Sequence, residues 1–70
     1  MERTPVSSST VASIGYDKST STLEVEFNNG SIYQYYSVPE DTYVALINAS
    51  SHGKYLNQNI KRQYQCQQIR

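Results

Sequence analysis

A few groups of side chains in this sequence have the types and spacing that chemistry requires. Ser51-His52-Gly53-Lys54 matches Ser-x-x-Lys, the pairing that activates a serine nucleophile in acyl-transfer enzymes. Its companion motifs, Ser-Asp-Asn and Lys-Thr-Gly, are missing, and a 70-residue chain is too short to enclose a substrate. Glu24 and Glu26 are carboxylates two residues apart on one strand face. A glycosidase pair must flank a substrate in a cleft, so these two are expected to form a solvated face that protects a sheet edge. Cys66 and His52 are single residues of their kind. Zinc takes four ligands, so no metal and no intrachain disulfide is expected, nor any cofactor. The chain is expected to have no catalytic residues and not to be an enzyme.

Aromatic and basic residues are the stronger candidates. Tyr33, Tyr35 and Tyr36 lie close together, and aromatic strand residues stack bases in RNA-binding sheets. Tyr33 and Tyr35 can equally pack beneath a helix, which is the favoured reading; Tyr36 then lies on the wetter face and is the better stacking candidate. Further along, Lys54 and Tyr55 stand at a helix start, where backbone N–H groups attract anions, and Lys61 and Arg62 follow about two turns later. With the neighbouring Asn and Gln side chains they compose a modest basic-aromatic patch of the sort that contacts phosphates and stacks bases. The bland reading of the same residues is a solvated helix face with a cap.

The element that positions the tyrosines is a β-hairpin. Leu23, Val25 and Phe27 alternate with Glu24 and Glu26, the period-2 pattern of a half-buried strand. A three-residue loop, Asn28-Asn29-Gly30, with Gly30 at the left-handed position pairs Val25 with Tyr33 and Leu23 with Tyr35. That register gathers Glu24, Glu26 and Gln34 on the other face; a two-residue Asn29-Gly30 loop would drive Gln34 into the apolar one. Upstream, residues 10–16 read as a strand with Ala12, Ile14 and Tyr16 on one face, and Gly15 hints at a bulge or a close backbone contact. A polar turn over residues 17–22 returns the chain to Leu23.

After Val38-Pro39, a first helix carries Tyr43, Leu46 and Ile47 as its apolar stripe, with Glu40 and Asp41 in its first turn. A second helix, capped by Ser50 or Ser51, would align Leu56, Ile60 and Tyr64. The expected fold is therefore α+β: a three-stranded antiparallel β-meander packed by one or two C-terminal helices. Residues 1–8 are expected to be disordered or loosely attached, residues 9–65 to form the single domain, and residues 66–70 to be a frayed tail.

Net charge is zero, yet the halves differ. Residues 1–41 set six carboxylates against Arg3 and Lys18, a balance of −4, whereas residues 42–70 carry four cations and no acid, +4. No apolar run approaches the ~20 residues that span a bilayer, and no signal peptide is visible, so a cytoplasmic location without membrane attachment is the default. A core this small is marginal, which a homodimer or a bound partner would relieve.

Taken together, Val25-Glu26-Phe27, Gly30, Tyr33-Gln34-Tyr35, Val38-Pro39, Ser51-His52-Gly53-Lys54-Tyr55-Leu56-Asn57, Ile60 and Tyr64 resemble the KTSC domain. That family is named for its occurrence at the C-terminus of some lysyl-tRNA synthetases and also occurs as a stand-alone small protein in bacteria and phages. Its hallmark is a central Tyr-x-Tyr, matched by Tyr33 and Tyr35. One departure is Leu56, where Phe is more usual; both are apolar. The family's company with a synthetase implies an RNA-associated role. The leading expectation is a non-catalytic module that binds RNA through the basic second helix, using Lys54, Tyr55, Lys61, Arg62 and Tyr36. The alternative is a protein-interaction module: a phage- or mobile-element-type protein that modulates a host protein through its acidic strand face or Tyr36.

Overall fold

The computed structural model describes residues 1–70. The fold is α+β, with a single antiparallel sheet in the order β1-β2-β3-β4-β5 and two helices. The strands are β1 (Arg3–Pro5), β2 (Val11–Asp17), β3 (Thr22–Phe27), β4 (Ile32–Tyr35) and β5 (Cys66–Gln68); α1 (Glu40–Ile47) and α2 (His52–Asn59) lie between β4 and β5. The expected three-strand meander is the middle of this sheet, and the correction concerns its two flanks.

Both termini, expected to be loose, are edge strands. Arg3 pairs with Gly15 and Pro5 with Ser13, so residues 3–5 extend the sheet beyond β2. Gly15 permits this: a Cβ there would lie 2.6 Å from the backbone oxygen of Glu2, a distance that only glycine avoids. Pro5, which has no N–H to give, is tolerated at an edge. On the other side, Tyr35 pairs with Cys66 and Tyr33 with Gln68. The pairing runs on past β5, with Ile32 N donating to Arg70 O at 2.9 Å. The last residues are thus bonded along β4 rather than frayed.

The hairpin has the three-residue loop. Val25 pairs with Tyr33 and Leu23 with Tyr35. Gly30 N donates to Phe27 O and Phe27 N to Ser31 O, both at 2.9 Å. Gly30 has φ +92°, and nothing lies within 4 Å of where its Cβ would be. A substitution therefore meets free space, and only the backbone conformation opposes it. Gly30→Val is expected to cost ~1–3 kcal/mol, with Gly30→Asn milder because Asn tolerates positive φ. Thermal melting of the two variants checks this; equal melting temperatures for Gly30→Val and wild type would contradict it.

The core is one cluster. Val11, Ile14, Leu23, Val25, Phe27 and Tyr35 from the sheet meet Val38, Leu46, Leu56 and Ile60 from the helical side. A shift of register between Val11 and Ser13 turns Val11 inward with Ile14, so the inward pair is Val11 and Ile14 where strict alternation would have Ala12 and Ile14. Tyr16 remains half-buried; its ring stacks on Tyr43 of α1 with centroids 4.9 Å apart, and its hydroxyl donates to Val38 O. The sheet's opposite face is polar and bonded across strands. Arg3 binds Glu24 through its Nη1 and donates from Nε to Ser13 Oγ at 3.0 Å. Ser13 Oγ donates to Glu26 Oε1 at 2.9 Å, and Gln34 Nε2 to Glu24 Oε1 at 2.9 Å.

Glu24 is only 5% exposed. At Glu24 the expected solvated, edge-protecting acidic face is therefore covered, because β3 is central and β1 lays Arg3 across it, while Glu26 stays partly exposed.

α2 is shorter than the apolar spacing suggested. It runs from His52 to Asn59, and Ile60 leaves the helix at φ −124°. Asn57 and Asn59 are poor helix formers, and β-branched Ile60 adds to the weakness. Leu56 O then accepts from both Ile60 N and Lys61 N, closing the end. Leu56 and Ile60 are buried as expected, but Lys61, Arg62 and Tyr64 lie in the turn that follows.

Candidate functional site

Where α2 ends, the helices no longer cover the sheet. An open groove of about 650 Å³ lies there, lined by Phe27, Tyr33, Tyr35, Lys61 and Cys66 and, in equal number, by polar residues of the β1–β2 connection (Ser9, Thr10) and the hairpin loop (Asn28, Asn29, Ser31). The hairpin register creates its aromatic wall. Phe27 and Tyr33 stand diagonally across β3 and β4, and their rings meet edge to face with centroids 5.7 Å apart. Tyr33 and Tyr35 follow on the same side of β4, 6.5 Å apart and 24° from parallel. Lys61 comes in from the turn after α2 and holds its Nζ 5.3 Å from the Phe27 ring centroid, a cation–π geometry. Cys66, the cross-strand partner of Tyr35, contributes a free exposed thiol from β5.

The two tyrosines of the Tyr-x-Tyr pair have different positions. Tyr35 is 2% exposed and belongs to the core. Burial, with smaller effects from Cys66 and Tyr33, pushes its phenol up to about 12, so it remains a neutral O–H near neutral pH. Tyr33 is half-buried, and its hydroxyl donates to Gln68 Oε1 at 3.1 Å, tying β4 to β5.

The expected basic patch divides. Lys54 and Tyr55 line a separate shallow groove of about 250 Å³ with Ser51 and Gln58, which shares no residue with the larger one. Lys61 joins the aromatic groove, and Arg62 is exposed between helix and strand. Only Lys54 and Tyr55 of the four lie on α2, because the helix stops at Asn59. Tyr36 is on the far face of the sheet, where its hydroxyl donates to Gln34 Oε1 at 3.1 Å and Gln67 Oε1 at 3.3 Å. It contributes nothing to either groove.

The enzyme-like motifs have structural occupations. Ser51 is the N-cap of α2, its Oγ accepting from Lys54 N at 3.3 Å. His52 Nε2 lies 3.3 Å from Ile47 O. Burial pushes the Glu24 carboxyl up, but hydrogen bonds from Gln34 and Arg3 and the Arg3 charge outweigh it and hold Glu24 below the ordinary carboxylate range. It is therefore ionised near neutral pH and holds no proton to donate. No three His, Cys, Asp or Glu side chains are grouped to hold a metal ion, and no helix is long and apolar enough to cross a membrane.

Of the groove residues only Tyr33, Tyr35 and Lys61 were candidates in the sequence reading, and Phe27 and Cys66 are the chief ones that escaped it. Phe27 was visible as a core strand residue, and the register that sets it beside Tyr33 was the available signal. Cys66 carried none, since its place depends on a strand with no apolar pattern.

Known proteins are similar to this chain in sequence and fold. A model of the KTSC domain matches residues 7–64. A protein of Stutzerimonas stutzeri is 42% identical, the match covering 91% of this chain and 90% of that one. A lysine–tRNA ligase of Nostoc punctiforme is 36% identical over 61 residues, which is 87% of this chain but 11% of the ligase. The crystal structure of a KTSC domain protein from Yersinia pestis superposes with a TM-score of 0.93 at 40% identity, covering 99% of this chain and 97% of that one. With its Tyr-x-Tyr strand, its capped second helix and a match over most of its length, the chain belongs to the KTSC domain family.

Proposed function

We propose that this domain is a non-catalytic module that binds single-stranded RNA, with the aromatic groove beside Lys61 as its contact surface. The observation that carries this reading is the Lys61 ammonium held over Phe27 at a groove walled by Tyr33 and Tyr35. A cation for phosphate next to a part-exposed aromatic ring for a base, here that of Tyr33, is the combination that single-strand binders use. The relationship to a segment of lysine–tRNA ligases, proteins named for acting with tRNA, supports the same reading by association. The binding surface thus moves from α2 to the turn that follows it. Lys54 and Tyr55 become a second, outlying contact, Arg62 a phosphate contact on the path between, and Tyr36 drops out.

Titration of a labelled oligouridine at two salt concentrations tests this. Each phosphate neutralised contributes about −0.7 to the log–log salt slope of single-strand binding. Lys61→Gln is expected to weaken binding and to make the slope shallower by about 0.7. Lys54→Gln is expected to change it less. The reverse order would return the interface to α2. Absence of binding at low salt would remove the RNA reading in favour of a protein partner. A route for that is the open edge of β5, whose residues are all exposed and can accept an added strand from a host protein or a second copy.

A further inference from the structure

Tyr35 has a hydroxyl that the fold itself does not use. The residue is 2% exposed, yet its O–H has no hydrogen-bond partner; Tyr16, Tyr33 and Tyr36 each donate to one, and the other tyrosines without a partner, Tyr43, Tyr55 and Tyr64, are only half-buried. No wholly buried side-chain polar atom lacks a partner, so the sliver of Tyr35 that solvent reaches includes this hydroxyl. Tyr35 lines the aromatic groove, so the groove is where the solvent-reached part of this residue is placed. A ring whose only task were packing would serve as well without the oxygen: Phe fills the same volume and has no polar group to desolvate. An unpartnered donor in the lining of a groove that also carries a cation is half of a recognition contact. The volume, about 650 Å³, falls in the ~300–1,000 Å³ range of small-molecule sites.

We propose that the Tyr35 hydroxyl is a base-reading contact: it hydrogen-bonds the edge of one unstacked nucleobase that lies against Tyr33 and Phe27, while Lys61 takes that nucleotide's phosphate. This rests on the RNA reading above and adds to it a single-nucleotide subsite. All four bases offer an acceptor on an edge, so the contact distinguishes a base from no base rather than one sequence from another. Lys61 supplies the charge complementarity for the phosphate, and phosphate contacts carry no base information. The two contacts are therefore separable.

The test compares wild type, Tyr35→Phe and Lys61→Gln on a labelled oligouridine and on an abasic oligonucleotide of the same length. Tyr35→Phe is expected to melt at or above the wild-type temperature, because nothing in the fold accepts its hydroxyl. It should bind oligouridine roughly three- to tenfold more weakly, the worth of one hydrogen bond, with an unchanged salt slope and unchanged abasic binding. Lys61→Gln should weaken both ligands alike. In wild type, oligouridine should also slow alkylation of Cys66, the only thiol, which lines the same groove. If Tyr35→Phe binds as wild type while Lys61→Gln is weakened, the base contact is overturned and the RNA reading stands. Equal loss on both oligonucleotides, or a clear drop in melting temperature, would assign the hydroxyl a structural role and overturn the proposal. If wild type binds neither ligand at low salt, both readings fall together.

Discussion

Tyr35→Ala is expected to leave the domain largely unfolded at room temperature. Truncating a buried aromatic side chain removes its transfer free energy and leaves a cavity, at a cost of ~3–5 kcal/mol. A single core in a domain of this size rarely supplies more than ~3–5 kcal/mol of net stability. Tyr35 is the largest fully buried side chain in the chain and sits in a single core cluster, so no second core can compensate. Tyr33→Ala is the comparison. Tyr33 is half-buried, packed against that cluster rather than within it, and ties β5 through one exposed bond to Gln68. Its truncation is expected to cost about 1–2 kcal/mol, part of the buried-ring figure, and to leave a folded protein. Circular dichroism melts of the two variants decide. Equal losses would mean that the Tyr-x-Tyr pair acts as one structural unit. A folded, fully stable Tyr35→Ala would mean that the ring at position 35 is not part of the core.

That asymmetry was half legible in the sequence. The Asn28-Asn29-Gly30 loop and the polarity of Glu24, Glu26 and Gln34 set the hairpin register, and the register put both tyrosines on the apolar side. Helix α2's cap was equally readable, since a serine three residues before Lys54 satisfies a free N–H. What could not be read is what the middle of the chain does not determine. β1 and β5 are three residues each with no apolar pattern; both are held by backbone pairing with a neighbouring strand, β1 also by the ion pair of Arg3 with Glu24, and the chain beyond β5 by that of Arg70 with Glu26. Local propensity carries no trace of such bonds. Missing β5 hid Cys66 from the groove, and missing β1 made a buried Glu24 look like solvated decoration. The early end of α2 was a competition between an apolar i, i+4, i+8 row and weak helix formers at Asn57 and Asn59, and the weak formers prevailed.

The second large effect is expected at Glu24, where the acidic strand face becomes structural. Its carboxylate accepts from Arg3 and from Gln34, and Arg70 reaches the neighbouring Glu26 at 3.2 Å from beyond β5. Three strands and both chain ends thus converge on two adjacent glutamates. Removing one partner of a fully buried pair costs ~3–5 kcal/mol because the other charge is stranded. The Arg3 side chain is 26% exposed and recovers some hydration, so Glu24→Ala is expected to lose less, about 2–3 kcal/mol, and to release β1 first. Acid should reproduce the loss. The folded-state pKa of Glu24 is depressed below its ordinary value of 4.5. Its stabilisation is therefore complete above that value and disappears as pH falls through the lower, folded one. Glu24→Gln keeps the volume and cannot titrate, so its stability should fall less steeply than that of wild type on the acid side of 4.5, while lying below wild type at pH 7. Urea melts of both proteins across that range measure the two curves. Parallel curves would mean that the Arg3–Glu24 pair adds no net stability, and that backbone pairing with β2 keeps the N-terminal strand on the sheet without it.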